Sequence, residues 1–496
     1  METQSRVMLS AGKVGRIRVQ PKLKFAGLAS DSREVKPGYL FAALSGATTD
    51  GARFIEDAAR RGAVAVLARP ELASQVRSLG LEFLADENPR LRLAHLAAGF
   101  FGSQPSTVAA VTGTNGKTSV TVFLRQIWEF AGHRSASLGT IGLVTPAGEH
   151  PLKHTTPDQV EIHRLLAKLA QDGVSHLAFE ASSHGLEQYR VDGVEIAAAA
   201  FTNITRDHLD YHKTFEDYLS AKLRLFNELL RDRGAAVVNA DARHSDAFIK
   251  VARDRNLNLL TVGVRGDYLV LIAAEPDQFG QNLRILHAGR SQEVHLPLAG
   301  TFQASNALVA AGLALALGES EEKVFAALAN LRGAPGRLEN VAYAANGAPI
   351  YVDYAHTPDA LETVLIALRP HAMGRLHLIF GCGGDRDRGK RPLMGQIAAS
   401  LADAVIVTDD NPRSEDPASV RREILGACQT AIEIGDRAEA IHAGIAGLNS
   451  DDVLVIAGKG HELGQTVGNQ TRPFSDRTEA IKAAVSLGGR PAEFKP

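Results

Sequence analysis

Cysteine is scarce in this sequence: Cys382 and Cys428 are the two in 496 residues. Two cysteines exclude a disulfide framework, and they read as reduced thiols of a cytoplasmic protein. No apolar run approaches the ~18–20 residues that span a bilayer. Residues 1–20 lack the apolar core of a secretion signal, so no membrane partner is expected. Charge of one sign is also missing. The net charge is -2, too small to draw nucleic acid or an anionic surface by a broad field. There are no heptads, internal repeats or low-complexity tracts.

What is present is an ordinary soluble composition, 45% hydrophobic and 22% charged, in a chain too long for one core. A prior of about 150 residues per domain suggests three. Breaks fall at Gly102-Ser103-Gln104-Pro105-Ser106 and at Gly333-Ala334-Pro335-Gly336, where turn residues cluster. The expected division is 1–103, 104–334 and 335–496. Short apolar runs alternate with helix-like ones, which predicts an α/β fold.

The most informative stretch is Ala109-Ala110-Val111-Thr112-Gly113-Thr114-Asn115-Gly116-Lys117-Thr118-Ser119. An apolar strand leads in and a helical pattern, Val120 to Phe130, leads out. Gly113, Thr114, Asn115 and Gly116 form a tight turn whose amides gather at a helix start and attract phosphate. Lys117 reaches outer phosphates, and the Thr118 hydroxyl suits Mg²⁺. The first glycine of the usual phosphate loop is replaced by Val111; the core GxxGKT remains. The expectation is ATP binding.

The other runs fit around it. In residues 1–103, Tyr39 to Ala43 and Ala63 to Leu67 read as strands and Phe54 to Gly62 as a helix; Asp31-Ser32-Arg33 reads as a capped turn. Between 105 and 333, Leu177 to Phe179, Ala197 to Phe201, Ala235 to Val238 and Leu259 to Val262 read as buried parallel strands. Ligands gather beyond the carboxyl ends of such strands, where Glu180 and His208 stand as candidate Mg²⁺ ligands. Phe215 to Leu230 reads as a helix, and spacing alone makes its Lys222 a surface residue. In the last third, Ile350 to Tyr354, Leu376 to Phe380, Ala404 to Val407 and Val453 to Ile456 predict a second doubly wound sheet with a crevice. There Arg386 and Arg413 suit carboxylates, and Asp410, Asn411 and Glu462 suit an ammonium group. Such a pocket fits an amino acid.

Five segments, in order, resemble the Mur ligases: residues 112–118, Glu180-Ala181-Ser182-Ser183-His184-Gly185-Leu186, Thr202-Asn203 with Asp207-His208-Leu209-Asp210-Tyr211-His212, Asp353-Tyr354-Ala355-His356-Thr357-Pro358, and Asp410-Asn411-Pro412-Arg413. The resemblance covers nearly the whole chain. It implies a UDP-substrate-binding domain, a central ATPase domain and a C-terminal amino-acid-binding domain of Rossmann-like fold. It implies ATP-dependent addition of meso-2,6-diaminopimelate to the D-Glu side-chain carboxylate of UDP-MurNAc-L-Ala-D-Glu through an acyl phosphate, by a cytoplasmic monomer, in peptidoglycan precursor synthesis. Catalysis then rests on Lys117, His208 and Lys222, the last matching a lysine that the family carbamylates.

By the same match, Thr118, Glu180, His208 and Lys222 serve Mg²⁺. Asn306, Arg337, Asp353 and His356 serve the nucleotide. Ser30, Ser32, Thr155, Thr156, Ser182, Gln188 and Arg190 hold the UDP-linked substrate. Arg386, Asp410, Asn411, Pro412, Arg413, Gly458 and Glu462 hold the amino acid. Arg413 marks the diaminopimelate branch, because lysine lacks the distal carboxylate it would clamp. His154 and Gln303 stand where relatives often carry asparagine. The alternatives are a lysine-adding ligase, a folylpolyglutamate synthase and an ATP-binding regulator without ligation.

Overall fold

The computed structural model describes residues 24–46, 49–205 and 211–492. It divides into two compact units. One takes in the chain up to Gln104 together with Asp158–Ala167 and Gln188–Val194; the other holds the rest.

The first unit contains a four-stranded parallel sheet in chain order, Gly27–Ala29, Tyr39–Ala42, Ala65–Ala68 and Glu82–Ala85. Its helix Pro89–Phe101 starts where Asn88 accepts the Leu91 N–H and ends at Gly102, φ +72°, the usual helix-stop conformation. The expected helix over Phe54 to Gly62 is shorter, Ile55–Arg60. A 3₁₀ turn, Gly51–Phe54, precedes it, because Asp50 caps the Ala52 N–H and tightens the entry.

The larger unit holds an eleven-stranded sheet. Its inner strand Thr107–Thr112 pairs in parallel with Ile196–Phe201 on one side and His176–Glu180 on the other. Strands that follow each other in the chain thus sit on opposite sides of it, which opens a crevice at their carboxyl ends. Val111, Phe123, Leu124, Ile127 and the apolar face of Thr301–Ala316 close one side of the core. The expected parallel strands are present. Both edges turn antiparallel, however: Leu269–Asp277, Gly280–His287 and Arg290–Leu296 at one, Gly142–Thr145 and Gly148–His150 at the other. The predicted helix Phe215 to Leu230 also stops early. It is helical over Phe215–Arg224, passes through a π turn at Leu225–Leu229, and Leu230 already begins a strand.

The same unit carries a seven-stranded sheet. Within it Ala404–Val407, Leu376–Phe380, Val453–Ala457 and Pro349–Asp353 run parallel in that spatial order. The late strand Val453–Ala457 inserts between two earlier ones and so makes a second switch point. No helix among the described residues is long and apolar enough to cross a membrane.

Candidate active site

Gly116 opens the helix Lys117–Phe130 at φ +83°. A Cβ there would collide with Asn306 Oδ1, so glycine is required twice over. The turn is tied to the next strand end. Thr114 N donates to Asn203 O at 2.8 Å and Asn115 N to Asn203 Oδ1 at 3.0 Å. Thr202 Oγ1 returns a bond to Asn115 O at 2.6 Å. Lys117 curls over the turn, its Nζ 2.9 Å from Gly113 O and 2.7 Å from Thr114 O.

Glu180 ends its strand beside this turn and is 1% exposed. Its oxygens accept from Thr118 Oγ1 at 2.9 Å, from Thr140 N at 2.8 Å and from Thr140 Oγ1 at 3.2 Å. Its partners among the described residues are all neutral. A buried carboxylate and a hydroxyl side by side are the hard oxygen donors that Mg²⁺ takes, so this donor set fits the cation. Thr140 was not anticipated; its signal was a polar residue directly after the strand Ser135–Gly139. His208 lies outside the described residues.

Lys222 is not the surface residue that spacing suggested. It is 1% exposed, its Nζ lies 2.7 Å from Gly113 O, and it stands 4.4 Å from the centre of the Tyr218 ring. The helix Phe215–Arg224, capped by Thr214, thus delivers a buried lysine to the phosphate turn.

A chain of contacts leads from the turn to the second sheet. Asn306 Nδ2 donates to Gln303 Oε1 at 3.2 Å, and Gln303 Nε2 to Arg337 O at 3.0 Å. Leu338 N then donates to Asp353 Oδ2 at 2.6 Å. Gln303, one of the departures from the family pattern, is fully buried and occupies the middle of this chain. Burial holds the Asp353 carboxyl above its ordinary pKa, opposed by Arg337 and by the N–H groups of Leu338 and Ala355. Arg337 lies over the Tyr354 ring at 4.7 Å. His356 Nδ1 lies 2.8 Å from Tyr354 O.

Of the residues expected to hold the UDP-linked substrate, Thr156 Oγ1 bonds to Glu180 O at 2.8 Å and Ser182 Oγ at 3.0 Å, while Thr155 meets Thr140 at 3.1 Å. His154 is exposed. In the smaller unit, Arg190 Nη2 donates to Gln188 Oε1 at 2.8 Å. Ser32 is buried there and Ser30 partly so.

At the second switch point, a Cβ added at Gly383 would meet Arg413 Nη1 at 2.9 Å and Arg386 Cγ at 3.8 Å. Arg386 is exposed, while Arg413 is half-buried. Arg413 Nη1 donates to Gly384 O at 2.8 Å. Asp385 at φ +53° and Arg413 at φ +50° are both left-handed, a strained state for side-chain-bearing residues that persists where surroundings over-determine it. The fully buried Arg391 supplies the restraint. It bonds Glu415 at 2.8 and 3.0 Å, and Glu415 accepts the Asp385 N–H at 2.7 Å. Asp410 and Asn411 are buried and face Glu462. The expected ammonium site at these three already receives an ammonium group from within the chain, that of Lys459.

Two histidines make acid stability testable. Burial, with His133 beside it, lowers His176 to about 4. Burial, with Arg337 nearby, lowers His461 to about 4. Above pH 6.5 both are neutral whether folded or unfolded, and nothing is at stake. Between pH 6.5 and 4 the unfolded chain takes up protons that the folded chain refuses, so stability falls as pH falls. Raised carboxyls such as Asp353 act oppositely, so the histidine part must be isolated by substitution. Melting temperature is expected to drop from pH 6.5 to 4.5 in the parent and to drop less in a His176→Gln/His461→Gln variant.

A turn at a helix start with a buried carboxylate and lysine against it, packed on Asn306 from which hydrogen bonds run to a second sheet whose switch point presents two arginines and two carboxylates, is an arrangement suited to an ATP-dependent ligase. Three family models match successive segments: the Mur ligase family catalytic domain over residues 24–101, the Mur ligase middle domain over 111–314, and the Mur ligase glutamate ligase domain over 336–460. The chain belongs to the Mur ligase family. It is 54% identical over 463 residues to the UDP-N-acetylmuramoyl-L-alanyl-D-glutamate–2,6-diaminopimelate ligase of Mesorhizobium japonicum, covering 93% of this chain and 95% of that one. It is 51% identical over 478 residues to the ligase of the same name from Brucella melitensis, covering 96% of each. A solved structure of a ligase of that name matches at 35% identity with a TM-score of 0.72, over 93% of this chain and 95% of the other.

Proposed function

We infer that this chain joins 2,6-diaminopimelate to the D-Glu side-chain carboxylate of UDP-MurNAc-L-Ala-D-Glu at the expense of ATP. The observation that carries this is the identity of more than half, over more than nine-tenths of the chain, to a ligase named for that reaction. The meso isomer is the diaminopimelate form we assign to it. The working protein is a cytoplasmic monomer with domains 1–103, 104–334 and 335–496.

The chemistry follows from the substrates. A carboxylate is a poor electrophile. Transfer of the terminal phosphoryl group makes a C–O–P acyl phosphate and releases ADP. The amine then attacks the carbonyl carbon, phosphate departs, and the amine gives up a proton. Lys117 and the turn amides of Gly113 to Gly116 bind the phosphates and balance charge that builds during transfer. Thr118, Glu180, His208 and a carbamylated Lys222 would hold Mg²⁺, which would add further charge neutralisation. Asn306, Arg337, Asp353 and His356 hold the nucleotide. Ser30, Ser32, Thr155, Thr156, Ser182, Gln188 and Arg190 hold the UDP-linked substrate. Arg386, Asp410, Asn411, Pro412, Arg413, Gly458 and Glu462 surround the amino acid.

The test is phosphate release from ATP with UDP-MurNAc-L-Ala-D-Glu present, comparing meso-diaminopimelate with L-lysine. Release with diaminopimelate alone is expected. Release with lysine instead would overturn the amino-acid assignment, and ATP binding without amine-dependent release would overturn ligation.

A further inference from the structure

Lys459 is fully buried, although it sits in a turn between two glycines just past the strand Val453–Ala457. Its ammonium meets three acceptors at once: Asn411 Oδ1 at 3.0 Å, Glu462 Oε2 at 3.3 Å and Asp410 Oδ1 at 3.4 Å. Asn411 is pinned from its other side as well, donating Nδ2 to Glu462 Oε2 at 2.9 Å and accepting from Thr466 N at 3.0 Å. Asp410 and Asn411 follow the strand Ala404–Val407, whereas Lys459 and Glu462 follow Val453–Ala457. The strand Leu376–Phe380 lies between these two. Lys459 therefore ties together loops from opposite sides of the switch point. Behind it the fully buried pair Arg437–Asp476, at 2.7 Å, fixes the turn by donating to Ala457 O at 2.9 Å.

We propose that Lys459 is the positioning residue of the amino-acid pocket, holding Asn411 and Glu462 in place and setting the pocket's charge. The proposal rests on the ligase reading above. An ammonium shared by Asp410 and Glu462 leaves these three side chains with one net negative charge. Without Lys459 the charge is two negative, Asn411 Oδ1 keeps only the Thr466 N–H, and Asp410 and Glu462 lose the cation they share. Diaminopimelate is a net-neutral zwitterion and lysine carries one net positive charge. Loss of Lys459 therefore weakens diaminopimelate and shifts preference towards lysine.

The experiment compares the parent with Lys459→Met, and with Lys459→Met/Asp410→Asn, which removes the cation together with one of its carboxylates and so avoids an uncompensated buried charge. Steady-state constants are measured for each substrate separately. For Lys459→Met the expected result is at least a tenfold rise in KM for diaminopimelate and a fall in the diaminopimelate-to-lysine ratio of kcat/KM. KM for ATP and for the UDP-linked substrate stays within threefold. In the double variant the ratio recovers while KM for diaminopimelate stays raised. If the single variant does not fold, the double variant is compared with Asp410→Asn alone, over which it must raise KM for diaminopimelate further. An unchanged KM for diaminopimelate, or equal rises for all three substrates, overturns the proposal. A parent that binds ATP but releases no phosphate on adding diaminopimelate overturns the ligase reading itself, and the two failures are thereby distinguished.

Discussion

Lys222→Ala is expected to lower turnover by about a thousandfold, on the scale of losing a charge-stabilising group from the reacting centre, while ATP still binds. The reason lies in where the lysine is held. A buried ammonium is costly unless it is paired, and this one is brought to the carbonyl of Gly113 at 2.7 Å in the turn proposed to cradle phosphate. If carbon dioxide adds to the deprotonated Nζ, with two protons released overall, the group changes from cation to anion and becomes a third oxygen-donor residue beside Thr118 and Glu180. Turnover of the parent should then fall when carbon dioxide is stripped and recover with bicarbonate; the variant should respond to neither. Calorimetric ATP binding and a thermal melt separate lost chemistry from lost folding. A parent indifferent to carbon dioxide would remove the carbamate and leave a plain lysine in the role.

The second large effect is expected at Arg413. Arg413→Gly should reduce kcat/KM for diaminopimelate by about a hundredfold, near 2.7 kcal/mol, and leave the low rate with lysine unchanged. Lysine has nothing for the guanidinium to hold, so losing it costs lysine nothing. Glycine is the informative replacement because Arg413 sits at φ +50°, a conformation that glycine adopts freely. Melting temperature should therefore hold while selectivity collapses. Equal losses for both amino acids would mean that Arg413 shapes the loop and does not read the substrate.

Much of this arrangement could be read before any coordinates. The parallel strands announced themselves as short apolar runs ending in polar clusters, and the expectation of a crevice at those ends followed, although the strand order that makes the switch points did not. The antiparallel edges did not. Strands such as Gly280–His287 alternate buried and exposed residues among polar ones, so they resemble loops until a neighbour pairs with them. Lys222 escaped the reading from spacing, though not the family resemblance, and Lys459 escaped both, for a different reason. Periodicity reports which face of an element is apolar. It carries no information about a charged side chain whose partners, Gly113 for one and Asp410 for the other, lie 109 and 49 residues away. Thr140 was missed in the same way, since its value comes from Glu180, 40 residues on.

The segments Asp158–Ala167 and Gln188–Val194 belong to the amino-terminal unit, and this bears on how the protein is made. Val160 packs with Leu28, Leu40 and Leu93, and His163 Nε2 lies 2.9 Å from Asp192 O. Chains emerge from the ribosome amino-terminus first and their domains generally fold as units. This unit cannot complete itself when residue 104 appears; it must wait for residue 194, and by then the phosphate turn has also been synthesised. A fragment cut at residue 104 would therefore expose apolar side chains and aggregate, whereas one extended through residue 194 would carry every piece of the first unit together with part of the next.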